Sequence, residues 1–238
     1  MNVKAVFFDA GETLVYPHPS FVELFAEVLW EQGHRVDPED LQELVHASSE
    51  RFNELMRSEK ALNWSTSPER SRALWDIVYR MFLAETDIAE AEHAGLVEAL
   101  YERFRSIASY RLYPDAIPTL ERLQKAGVTL GLISNFEDWL EQLLETLEVS
   151  PFLEVSVISG IEGVEKPDAR IFEIALERAG ADAAASVYVG DNPIFDAEAA
   201  RQAGMIPVLI DRRDRHSDVD VIRISSLEEL PGAIGLPV

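Results

Sequence analysis

Val3-Lys4-Ala5-Val6-Phe7-Phe8-Asp9-Ala10-Gly11-Glu12-Thr13-Leu14 decides how this chain folds. Residues 3–8 make a short, mostly apolar run rich in β-branched and aromatic side chains. That is the pattern of a strand buried on both faces of a parallel sheet. The run stops at Asp9. A carboxylate at the C-terminal tip of such a strand stands where open α/β sheets bind ligands. Read alone, Asp9 serves equally well as a strand breaker that accepts turn hydrogen bonds.

The text on either side changes character. Tyr16-Pro17-His18-Pro19 is a helix-resistant link. From Ser20 to Ser109 the period is helical, and four amphipathic helices are expected. Ser20 with Glu23 signals the first, which Gly33 stops; Asp37-Pro38 starts a second through Leu41 and Leu55. Ser67-Pro68 starts a third, and Leu96, Leu100 and Phe104 mark a fourth. Trp30 and Trp75 are expected in the core of this bundle. From Arg111 onward strands and helices alternate: strands at 128–133, 152–158, 186–189, 206–210 and 219–224, helices after Pro114, through Leu143, after Asp168 and through Phe195, and a last helical turn at 227–230. Alternation of this kind predicts a doubly wound parallel sheet of the Rossmann-like α/β class. The expected division is an α/β core of residues 1–15 and 110–238 with a helical bundle, residues 16–109, inserted after the first strand.

Composition narrows the class. The 238 residues carry a formal charge of -22, 47% hydrophobic and 27% charged residues, and no cysteine. Thiol catalysis, disulfides and cysteine zinc sites are excluded. So acidic a surface repels nucleic acid and anionic membranes, and neither is expected as a partner. No apolar run approaches membrane-spanning length, and the N-terminus lacks the basic and cleavage segments of a signal peptide. The expectation is a cytoplasmic monomer or homodimer acting on a small molecule.

Three predicted strands end in polar residues: Asp9, Ser134 and Asp191. A fourth loop supplies Lys166, one of four lysines in the chain. Each alone has a plain alternative, since Ser134 can cap a helix, Lys166 can be a solvated loop residue and Asp191 a turn former. Together, in a parallel sheet, their tips converge on one edge. Two carboxylates, a hydroxyl and an ammonium at one place suit a phosphate group with Mg²⁺. The cation relieves the repulsion between the acids, and an aspartate there can attack phosphorus.

Four ordered segments, residues 8–14, Ile133-Ser134-Asn135, Glu165-Lys166-Pro167 and Gly190-Asp191-Asn192 with Asp196, resemble the signature of the haloacid dehalogenase superfamily. The resemblance covers essentially the whole chain. It implies a hydrolase with a helical cap that closes over the site and selects the substrate. It implies that Asp9 is the nucleophile, and that Ser134 and Lys166, with Asn135, hold the transferring group's oxygens. Asp9, Asp191 and the carbonyl of Gly11 would bind Mg²⁺, with Thr13, Asn192 and Asp196 in support. Candidate selectors are His18, Trp64, Phe136 and Trp139.

The chain departs from that signature at one place. Phosphatases of the superfamily carry a second aspartate, a general acid/base, where this chain has Gly11, and a glycine where it has Glu12. Loss of such a group costs on the order of 10² to 10⁴ in rate, least for acyl or aryl phosphates. Glu12 is one candidate replacement. The 2-haloacid dehalogenases of the superfamily also lack this aspartate, but work without metal and have no equivalent of Asp191. A phosphonatase-like reaction would need a lysine from the cap, where Lys60 is the sole candidate and reads as a solvated helix residue. A non-catalytic relative that keeps the fold is the third alternative.

Overall fold

β1 (Ala5–Phe8) is wholly buried, because every side chain from Ala5 to Phe8 is apolar and both sheet faces are covered. The computed structural model describes residues 2–56, 58 and 63–236. After β1 the chain runs through β2 (Val15–Pro17), α1 (Phe21–Glu31), α2 (Pro38–Ala47), α3 (Ser49–Met56), α4 (Pro68–Leu83), α5 (His93–Phe104) and β3 (Tyr110–Leu112). It continues through α6 (Ala116–Lys125), β4 (Thr129–Ser134), α7 (Leu140–Thr146), β5 (Val155–Ile158), α8 (Ser159–Glu162) and α9 (Ala169–Ala179). β6 (Ser186–Gly190), α10 (Ala199–Gln202), β7 (Ile206–Ile210), β8 (Ile222–Ile224) and α11 (Leu230–Ala233) complete it. Two compact units result, residues 1–15 with 112–238 and residues 16–111.

The first unit is a six-stranded parallel sheet in the order β5-β4-β1-β6-β7-β8. The order reverses at β1: β4 and β5 are laid on one side of it, β6 to β8 on the other. Ligands bind at such reversals, outside the carboxyl ends of the strands. One side of the sheet packs Phe7, Ile133 and Tyr188 against Ile171, Phe172 and Ala175 of α9.

The helical unit has its own core, built on Phe25, Leu29, Leu41, Tyr79, Phe82, Leu83 and Leu100. α1 starts where the Ser20 hydroxyl accepts the Glu23 N–H at 3.2 Å, and α4 where Ser67 accepts from Arg70 at 3.3 Å. Two expectations for this unit need correction. The helix predicted from Pro38 through Leu55 is interrupted at Ser48, giving α2 and α3, so this unit has five α-helices among the described residues. The Ser48-Ser49 pair is a weak helix former at that joint. Trp30 is not core: it is 62% exposed, with the Arg35 guanidinium 5.5 Å from its ring centroid. Leu24, Phe25, Val28 and Leu29 set the inward face of α1, and the next residue turns about 100° away from Leu29. Trp75 does pack on the core, stacked on Tyr79 at 5.5 Å. In the α/β unit, the strand expected from Phe152 begins only at Val155, after a 3₁₀ turn, and the edge strand expected from Val219 shortens to β8. Lys60 lies outside the described residues. No helix among the described residues is long and apolar enough to cross a membrane.

Candidate active site

Asp9, Ser134 and Asp191 meet because their strands are neighbours. Phe8 pairs with Leu132 of β4 on one side and Val189 of β6 on the other. The three polar residues therefore leave the sheet within one residue of the same level. Asp9 is buried, its N–H bonded to the Val189 carbonyl at 2.8 Å. Its Oδ1 accepts from the Ser134 hydroxyl at 2.9 Å and from Lys166 Nζ at 2.7 Å. Lys166 also donates to Asp196 Oδ1 at 2.6 Å and to the Tyr188 hydroxyl at 2.9 Å. An ammonium has three protons, and all three have acceptors here. Ser134 and Lys166 thus each donate one bond to the same oxygen of the Asp9 carboxylate and orient it.

The loop that carries Lys166 is tied to the β4 tip. Asn135 Nδ2 donates to the Lys166 carbonyl at 2.8 Å, and the Lys166 N–H returns a bond to Asn135 Oδ1 at 2.7 Å. The Asn135 side chain is therefore a splint between two loops. Asp168 then caps α9 by accepting the Arg170 N–H at 2.9 Å.

Asp196 is aimed by an unusual turn. The helix expected after Asn192 opens as a π-helical stretch, Pro193–Glu198, before tightening into α10. The Asn192 carbonyl accepts from both Asp196 and Ala197 N–H, at 3.0 and 3.1 Å, while its side chain caps Ile194 and Phe195. This turns Asp196 back, so that Oδ2 accepts the Asn192 N–H at 2.9 Å and Oδ1 meets Lys166.

Charge is tightly balanced. Burial opposes the Lys166 ammonium, but Asp196 and Asp9 outweigh it and hold its pKa above the ordinary lysine value. Burial raises the Asp9 carboxyl against the pull of Lys166, and Asp196 pushes it further up. Asp191 is raised well above the ordinary value by burial, then by Asp196, Asp9 and Glu12. One carboxylate oxygen from each of Asp9, Asp191 and Asp196 lies within 4.8 Å of the others. No described residue donates to the Asp191 carboxylate. The Ala10 carbonyl takes the Leu14 and Val15 N–H groups at 2.8 and 2.9 Å, which leaves the Gly11 carbonyl without a donor among the described residues. Hard oxygen donors this crowded, with burial and then neighbouring carboxylates raising Asp191 and no described donor on Asp191 or the Gly11 carbonyl, fit a divalent cation such as Mg²⁺.

Around Gly11 the structure answers the question that the sequence poses. A Cβ built on Gly11 meets nothing within 4 Å beyond its chain neighbours, so there is room for a side chain to begin there. Glu12 keeps the left-handed backbone, φ 53°, that a glycine adopts freely. That costs about 1 kcal/mol. Its carboxylate is engaged elsewhere, accepting from the Tyr113 hydroxyl at 2.9 Å and Arg213 at 3.2 Å. Thr13 is fully buried, its hydroxyl without a partner among the described residues and its carbonyl accepting from Arg212 at 2.9 Å. Among the selector candidates, Phe136 and Trp139 pack edge to face at 4.8 Å, and Trp64 packs likewise on Trp75 at 6.1 Å. His18 is exposed, edge-on to Tyr16.

Two participants escaped the sequence reading. Tyr188 sits in mid-strand among aliphatic residues, and a buried phenol needs a partner; that was the available signal. Burial and the nearby carboxylates raise its pKa, so the hydroxyl is neutral. The second is Arg212, which grips Asp115 with two bonds of 2.8 and 2.9 Å and lies over the Tyr113 ring at 3.7 Å. Nothing local in Arg212-Arg213 marks it.

A family model described as haloacid dehalogenase-like hydrolase matches residues 3–204. The chain is 32% identical over 221 residues to a glyceraldehyde 3-phosphate phosphatase of Methanopyrus kandleri, covering 92% of this chain and 88% of that one. It is 32% identical over 176 residues to a phosphoserine phosphatase of Thermus thermophilus, covering 70% of each. Among solved structures it resembles a 2-haloacid dehalogenase from Pseudomonas syringae pv. Tomato, with TM-score 0.61, 27% identity and 98% of each chain covered.

Proposed function

The chain belongs to the haloacid dehalogenase-like hydrolase family, and on that footing we propose that it is a Mg²⁺-dependent phosphohydrolase of a small phosphorylated metabolite, acting through an aspartyl-phosphate at Asp9. The observation that carries this reading is the cluster of Asp9, Asp191 and Asp196 carboxylates beside the Lys166 ammonium. A haloacid dehalogenase mechanism has no use for Asp191. The likeness to two proteins named as phosphatases of small metabolites supports the same substrate class.

Asp9, Asp191 and the Gly11 carbonyl would hold the cation, which when bound offsets anionic charge between carboxylate and phosphate. An Asp9 oxygen attacks phosphorus, forming one P–O bond as the ester oxygen departs. Water then attacks the phosphorus, releasing inorganic phosphate and restoring the carboxylate. Lys166 and Ser134 fix the nucleophile's orientation throughout. With no carboxyl at residue 11, leaving groups that need little protonation, aryl and acyl phosphates, react fastest. The -22 charge supports a small-molecule substrate rather than nucleic acid or membrane, in a cytoplasmic monomer or homodimer.

A second reading, metal-independent displacement of halide from a 2-haloacid, draws on Gly11 and on the likeness to the Pseudomonas dehalogenase. A third is a non-catalytic binder. One screen separates them: an aryl phosphate, acetyl phosphate, sugar phosphates and 2-chloropropionate, each with and without Mg²⁺. Mg²⁺-dependent aryl phosphate turnover that vanishes in Asp9→Asn supports the phosphohydrolase. Halide release without metal selects the dehalogenase. Thermal stabilisation by Mg²⁺ with no turnover selects the binder.

A further inference from the structure

The Lys166 ammonium has two anionic acceptors and one neutral one. Asp9 and Asp196 supply carboxylate oxygens at 2.7 and 2.6 Å; the third acceptor is the Tyr188 hydroxyl at 2.9 Å. That hydroxyl also lies 2.8 Å from the Ile133 carbonyl and 3.1 Å from Asp196 Oδ1. An ammonium only donates, so the phenol oxygen accepts from Lys166. Its single proton is offered to the Ile133 carbonyl and to Asp196 Oδ1, of which the carbonyl is the shorter contact. Ile133 precedes Ser134, and Ser134 donates to Asp9 Oδ1 at 2.9 Å. A closed ring results: Asp9, Lys166, Tyr188, the β4 backbone, Ser134 and Asp9 again. Every member of it is buried.

We propose that Tyr188 is a positioning residue for the reaction: its hydroxyl locks Lys166 to the tip of β4, so that Lys166 and Ser134 grip the same oxygen of Asp9 and leave the other to react. Without that hydroxyl, the ammonium is held only by the two carboxylates, Asp9 at 2.7 Å and Asp196 at 2.6 Å, and nothing ties it to the β4 backbone. One Lys166 proton and the Ile133 carbonyl then lose their buried partners, which sets the ammonium loose within its cage. The nucleophile loses a fixed orientation while the surface offered to substrate is unchanged. The effect therefore falls on kcat rather than KM.

The inference rests on the phosphohydrolase reading, and two measurements keep them apart. Tyr188→Phe is compared with Phe172→Leu, since Phe172 packs edge to face on the Tyr188 ring at 5.1 Å. The control loosens the same core and keeps the hydroxyl. With an aryl phosphate and Mg²⁺, Tyr188→Phe should lower kcat at least tenfold with KM within twofold. Phe172→Leu should keep kcat within twofold despite an equal or larger fall in Tm. A kcat within twofold of wild type in Tyr188→Phe, a change confined to KM, or parallel losses in both variants would each overturn the proposal. Absence of turnover in the wild type speaks against the phosphohydrolase instead. Proton exchange at the lysine ammonium, followed by NMR on protein labelled with ¹⁵N-lysine, then decides without any turnover. The chain has four lysines, and the buried Lys166 should exchange at least fivefold faster in Tyr188→Phe; equal exchange rates would overturn the lock.

Discussion

The Asp196 side chain occupies the space that a side chain on Gly190 would need. A Cβ built on Gly190 stands 2.6 Å from the Asp196 Cβ and closer still to its carboxyl group. The glycine before Asp191 is thus a steric requirement of the Lys166 cage. Gly190→Ala should push Asp196 off Lys166. We expect a loss of about 1–3 kcal/mol in stability, the usual cost of overpacking, and at least a tenfold fall in kcat. Urea unfolding and aryl phosphate kinetics check both; an alanine variant with wild-type kcat would mean that the cage tolerates displacement.

Gly11 offers room for the acid that the chain lacks, since a Cβ built there meets nothing within 4 Å beyond its chain neighbours. Gly11→Asp should raise turnover of alkyl phosphates by about tenfold or more while leaving aryl phosphates nearly unchanged, because only the poorer leaving group needs the proton. The check is the ratio of kcat/KM for the two substrate types. No change in that ratio would show that another group already donates.

Asp191 is expected to bind the cation at the expense of the metal-free protein. Its carboxylate accepts from no described residue and faces the charges of Asp196 and Asp9. Asp191→Asn should therefore unfold at a higher temperature than wild type in EDTA, because a repelling charge is gone. In Mg²⁺ the order should reverse: wild type gains about 2.7 kcal/mol at a hundredfold excess over Kd, and the variant gains little. Thermal unfolding with and without chelator tests both signs.

Asp115 links stability to pH. Burial would raise its pKa, but hydrogen bonds from Arg212, Ser226 and the Leu227 N–H prevail and hold it below the ordinary 3.8. With a depressed folded value, the stability it contributes is complete above pH 3.8 and is lost as pH falls through the folded value. Asp115→Asn should cost about 2 kcal/mol at pH 7, with the difference from wild type shrinking below pH 3.8. Urea unfolding of both proteins between pH 7 and pH 3 gives the curve; a constant difference would remove Asp115 from the linkage.

Much of the architecture can be read from short-range pattern. The apolar run before Asp9, the helical period from Ser20 and the alternation after Arg111 are properties of adjacent residues, and burial at period 2 or 3.6 enforces them. Strand ends were equally legible, which is why Asp9, Ser134 and Asp191 could be named together with Lys166. The differences lie where local pattern is weak: the break at Ser48, the late starts of β5 and β8, and Trp30, an aromatic expected in the core whose place on α1 faces outward.

By itself the sequence determined that three polar residues end buried strands, and that Gly11 and Glu12 stand where acid/base and glycine are expected. Only the tertiary structure decided who holds whom. Lys166 and Asp9 are 157 residues apart in the chain, Arg212 and Asp115 97, and Tyr113 and Glu12 101. Such pairings depend on strand order, with β1 between β4 and β6, and on which buried donors find acceptors within 3 Å. A side chain's identity sets what it can bond, but the burial that makes an unmade bond costly arises only when distant segments are packed together.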